Sequence, residues 1–70
     1  MSSEIDLFVQ ATSLWDNGEF LATHLGDDQR SLYRYEGQLY VIRYTKENIL
    51  EHIEIVDTET AKKMFAKFDG

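Results

Sequence analysis

The sequence predicts an α+β domain: an antiparallel β-meander of four to five strands with a C-terminal α-helix packed on one face. Three observations predict it. Short apolar runs of period two fill residues 31–56 and are separated by turn residues. At Asp57 the apolar period changes to that of a helix. Nine aromatic side chains in 70 residues supply area for a helix laid across a twisted sheet, since each buries about 150–250 Å².

The first segment, residues 5–16, has two readings. As a helix it sets Ile5, Phe8, Val9, Thr12 and Trp15 on one face, with Ser3 and Asp6 as a weak capping box. As a strand it alternates Leu7, Val9, Ala11, Ser13 and Trp15 against Asp6, Phe8, Gln10, Thr12 and Leu14. Asn17-Gly18 follows, and this dipeptide is the strongest short hairpin signal because both positions of a type I′ turn need positive φ. A two-residue turn there pairs Trp15 with Phe20 and Leu14 with Leu21. Gly18 serves equally as the residue that ends a helix. The hairpin reading is preferred, so the expectation is a strand over roughly residues 9–15, with room for a short helical or frayed start.

Phe20–Leu25 reads as the next strand, and Gly26-Asp27-Asp28 as a turn. Ser31–Tyr35 and Gln38–Tyr44 form the clearest hairpin, around Glu36-Gly37. A two-residue loop pairs Tyr33 with Tyr40 and Leu32 with Val41. A three-residue loop with a glycine bulge shifts every contact by one and exchanges the faces. Thr45–Asn48 is a polar turn. His52–Val56 is a further strand, with Ile53 and Ile55 on one face and His52, Glu54 and Val56 on the other. Ala61, Met64, Phe65 and Phe68 then recur at helical spacing. Asp57 or Thr58 caps this helix, Glu59 complements its positive end, and Lys67 sits near its negative end.

Seventy residues make one domain, residues 1–70. Such a chain buries only about 60% of its unfolded surface, so a staple or a dense core is needed. No cysteine is present, which excludes disulfides and thiolate metal sites. The start, MSSEIDLF, has no basic region and no long apolar run, so neither a secretory signal nor a membrane span is expected. The expected location is cytoplasmic.

The net charge of −6 is unevenly spread. Residues 1–29 hold Glu4, Asp6, Asp16, Glu19, Asp27 and Asp28 and no Lys or Arg, while acids and bases balance in residues 30–70. Binding to nucleic acid needs cations that displace phosphate counterions, so direct nucleic-acid binding is not expected. Net charge also keeps a small protein dispersed, which is the simpler reading of the same residues.

No catalytic, cofactor or metal constellation is legible. His24 and His52 stand in no HxxxH or HxH spacing. The serines lie in no GxSxG elbow, and neither GxGxxG nor GxxxxGK[ST] occurs. Adjacent acids such as Asp27-Asp28 are usually solvated turn residues. The expectation is that the protein is not an enzyme and takes no cofactor.

Two groups are candidate partner-binding residues. The acids Asp16, Glu19, Asp27 and Asp28 cluster at the ends of the strand that follows Asn17-Gly18. Tyr33, Arg34 and Tyr35 interleave aromatics with a cation, and both residue types are enriched at protein–protein hot spots. The simpler reading is that the tyrosines pack in the core and the arginines neutralise nearby acids. Interleaved aromatics and arginines also stack single-stranded bases, which the lack of net basicity disfavours.

The expected function is a non-enzymatic protein-binding module, a small regulator or inhibitor whose acidic surface meets a partner with a basic surface. Two alternatives stand beside it. One is an acidic mimic of nucleic acid that blocks a nucleic-acid-binding protein. The other is a homo-oligomeric structural subunit, such as a homodimer through a sheet edge or exposed tyrosines.

Overall fold

A computed structural model describes residues 3–26 and 28–68, with side chains from Asp6 onward. The elements run α1 (Ser3–Asn17), β1 (Glu19–His24), β2 (Gln29–Tyr35), β3 (Gln38–Tyr44), β4 (Leu50–Val56) and α2 (Thr58–Met64). The four strands form one antiparallel meander in the order β1-β2-β3-β4. The expected fold class is therefore found, with α2 closing one face of the sheet.

The strand expected over residues 9–15 is instead the body of α1, and Asn17-Gly18 is not a hairpin. The Gly18 N–H donates to the Leu14 carbonyl at 2.9 Å, which closes the last turn. A Cβ at Gly18 would stand 2.6 Å from that same oxygen. Glycine is present there for close approach, so it stops a helix where it was expected to start a turn. The docked stripe also differs from the expected helical face. Ala11 and Leu14 are buried, with Leu7 partly so, whereas Phe8, Val9 and Trp15 remain exposed. The small Ala11 side chain allows the helix to approach Ile42 of the sheet, leaving the larger residues on its flanks. The expected Ser3 cap falls on a side chain outside the described set.

The β2–β3 hairpin takes the two-residue loop. Tyr33 faces Tyr40 and Leu32 faces Val41. Glu36 and Gly37 both have positive φ, 51° and 79°, as a type I′ turn requires. Thr45–Asn48 turns as expected, closed by Asn48 N–H to the Thr45 carbonyl at 2.9 Å and Thr45 N–H to the Ile49 carbonyl at 2.8 Å. Gln29 braces this loop by donating from its amide to the carbonyls of Thr45 and Lys46. Asp57 caps α2, its carboxylate accepting from the Thr60 N–H at 2.8 Å.

Strand alternation divides the interior in two. Leu32, Leu39, Val41 and Ala22 meet Ala61 and Phe65, with Met64, Val56 and Phe68 at the margin. Ile42 meets Ala11 and Leu14 on the opposite face, surrounded by Tyr33, Tyr35, Tyr40, Tyr44, Leu50 and Ile53. A bulge between Phe20 and Ala22 sends both Leu21 and Ala22 toward the α2 face. Ile53 and Val56 fall on opposite faces, as the alternation of β4 predicts. The sheet is thus sandwiched between two helices. Among the described residues no helix is long and apolar enough to cross a membrane.

Candidate functional site

The helix α1 does not cover its face of the sheet evenly. Its contact centres on Ile42, and on one side a row of side chains is left partly open. The register places Phe20, Tyr33, Tyr40 and Ile55 opposite one another across all four strands. Phe20 packs edge-on against Tyr33 with ring centroids 5.6 Å apart, yet stays 57% exposed. Ile55, at the other end of the row, is 61% exposed.

Between this row and α1 lies a cleft of about 590 Å³. Val9, Gln10, Ser13 and Leu14 form its helical wall; Tyr35, Tyr40, Ile53 and Ile55 form its sheet wall. The volume falls in the range of ligand-sized clefts, and a few polar groups stand among apolar walls as such sites require. Burial pushes the Tyr33 phenol above its ordinary value, and the neighbouring Tyr44 adds to the shift.

A smaller hollow of about 400 Å³ lies at the opposite flank of α1, among Trp15, Thr23, Gln29, Ser31 and Tyr44. Two hydrogen bonds cross it. The Trp15 indole N–H donates to the Tyr44 hydroxyl at 3.2 Å, and the Thr23 hydroxyl donates to the Arg30 carbonyl at 3.2 Å. This hollow is braced structure more than open surface.

The structure separates the residues singled out by sequence. Tyr33 and Tyr35 lie together on the α1 face. Arg34 alternates to the other face, where it pairs with Glu19 at 3.6 Å. Asp28 pairs with Arg43 at 3.1 Å and with Arg30 at 3.8 Å. Arg43 also holds Glu54 at 2.8 Å, and this hydrogen bond is the main reason its guanidinium is held above its ordinary value; the charge of Asp28 adds to it. The Arg30 guanidinium lies 5.9 Å from the centre of the Phe65 ring. Asp16 is exposed near the end of α1, and Asp27 lies outside the described residues.

His24 and His52 stand on the two opposite edge strands. Among the described residues no group of three or more acids and histidines is arranged to hold a metal.

Sequence reasoning missed Val9, Gln10, Tyr40 and Ile55 as site residues. The available signal was Ile55, an isoleucine on the alternating face of an edge strand that no neighbour covers. Comparison with protein-family models, with curated proteins and with solved structures returned no match.

Proposed function

We propose that the chain is a non-enzymatic protein-binding module, a small regulator or inhibitor, and that its contact surface is the cleft beside α1. The observation that carries this reading is the open apolar cleft itself, whose opposite rims, Val9 and Ile55, are each more than half exposed. Tyrosines at its wall supply rigid contact area with polar tips, the side-chain chemistry enriched at protein–protein hot spots. The acidic surface expected from sequence contributes long-range attraction to a basic partner more than direct contact.

The nucleic-acid mimic is a weaker reading. It needs carboxylates free and regularly spaced on one face, whereas Glu19 and Asp28 are each neutralised by arginine.

The test is differential capture from host extract with the wild-type chain and with a Val9→Asp/Ile55→Asp variant. The expected result is a protein retained by the first and lost with the second, confirmed by binding of that purified protein. Matching circular dichroism of the two forms shows that the fold is intact. An unchanged captured set would overturn the cleft as the contact surface.

A further inference from the structure

We infer that the cleft takes a cationic amphipathic segment of a partner protein, one whose apolar side chains are flanked by lysine or arginine. This rests on the reading of the cleft as the contact surface and names what enters it.

Ion pairing is divided unevenly between the two sides of the sheet. On α1, residues three, four and seven apart share a side. Asp6 lies one turn before Gln10 and two before Ser13, and Asp16 lies one turn after Ser13 and two after Val9. The helical wall of the cleft therefore begins and ends in a carboxylate. Both are exposed, and neither is in an ion pair among the described residues. Glu36, exposed in the turn, directly follows Tyr35 of the sheet wall in the chain.

No lysine or arginine among the described residues is in an ion pair with Asp6, Asp16 or Glu36. α1 holds no lysine or arginine. Strand alternation turns Arg30, Arg34 and Arg43 to the opposite face, where they pair with Asp28, Glu19 and Glu54. Lys62 and Lys63 belong to α2, on that opposite face as well. Asp28, Glu19 and Glu54 are thus paired with arginine, while Asp6 and Asp16 are in no ion pair among the described residues. Low-dielectric walls focus such a field, and a cation brought to the rim gains from it. Ten residues of helix separate Asp6 from Asp16, about 15 Å along the axis. A segment laid along the cleft meets carboxylate at both ends and apolar wall between.

The full 15N-labelled chain is titrated with synthetic Leu/Lys, Leu/Gln and Leu/Glu amphipathic peptides of about five helical turns. The expected result is amide shifts centred on Val9, Gln10, Tyr40 and Ile55 with the Leu/Lys peptide. Its affinity exceeds that of the Leu/Glu peptide about tenfold or more and falls as salt is raised past the point where the Debye length drops below about 10 Å. Asp6→Asn/Asp16→Asn reduces Leu/Lys affinity severalfold and leaves Leu/Gln affinity unchanged. Equal binding of the Leu/Lys and Leu/Glu peptides, with shifts still in the cleft, overturns the cationic assignment and leaves the cleft standing. Shifts that map elsewhere overturn both. Sedimentation that shows a dimer, made monomeric by Ile55→Lys, overturns the assignment by placing a second copy in the cleft.

Discussion

Asp57 links a single side chain to the start of α2. Hydrogen bonds from Thr60, through its side chain and then its backbone N–H, hold the Asp57 carboxyl below its ordinary value. A depressed folded value means the ionised form is favoured by folding. The cap therefore contributes fully above the unfolded value, about 4, and its contribution is lost as pH falls through the lower folded value. Asp57→Asn keeps an acceptor and removes the charge. The wild type is expected to melt above this variant at neutral pH, and the gap is expected to close on acidification below pH ~4 in thermal scans. A gap that stays constant with pH would mean the cap acts by shape alone. Arg43 gives a second residue-scale test, since it bridges Glu54 and Asp28. These partners are substantially exposed, so Arg43→Gln is expected to cost only about 1 kcal/mol in denaturant titrations. The difference should shrink at high salt, where screening weakens the pair already.

At the scale of elements, what was readable in the sequence depended on how unambiguous each local signal was. Glu36-Gly37 has one good solution, a tight turn with two positive φ values, and the hairpin followed. The apolar spacing that starts at Ala61 has no competing period-two reading, so the existence of α2 was legible, but the helix ends at Met64, and Phe65, Lys67 and Phe68 follow it instead of lying within it. Asn17-Gly18 serves two structures, and the aromatic spacing of Phe8 and Trp15 drew attention from the real stripe of Leu7, Ala11 and Leu14. Those aromatics meet each other at 6.4 Å on the outer flank of the helix. The cleft was invisible for the same reason: Val9 and Ile55 meet across it only if α1 is a helix lying on the sheet. Gly18 tests this junction. Gly18→Ala places a Cβ against the Leu14 carbonyl and is expected to destabilise by about 1–3 kcal/mol. Trp15, the one tryptophan, should report the loosened last turn by its fluorescence. Gly26→Ala is the control, because its nearest neighbour would be the His24 ring at 3.7 Å. Its effect should stay within about 0.5 kcal/mol.

For the whole molecule, the sheet is both a partition and a connection. No buried residue belongs to both apolar clusters, yet Val41 and Ile42 are consecutive in β3 and serve opposite faces. Neither helix covers enough surface to make its own core, so each depends on a sheet that the other also stabilises. Two consequences follow together. Substitutions on opposite faces share no side-chain partner and should act independently in energy. The two faces should nevertheless unfold together, because loss of the sheet removes both. Ile42→Val, beneath α1, is expected to cost about 0.5–1.5 kcal/mol. Phe65→Leu, at the C-cap of α2 and packed on the other face, is expected to cost about 1 kcal/mol. The double variant should equal the sum within about 0.5 kcal/mol. Trp15 fluorescence, which sees only the α1 face, should give the same midpoint as far-UV circular dichroism, which sees the whole chain. An earlier fluorescence midpoint would instead show α1 leaving as a separate unit, with the four strands and α2 still folded. In that case the cleft would be made and unmade by the docking of α1, and binding in it would raise the Trp15 midpoint toward the global one.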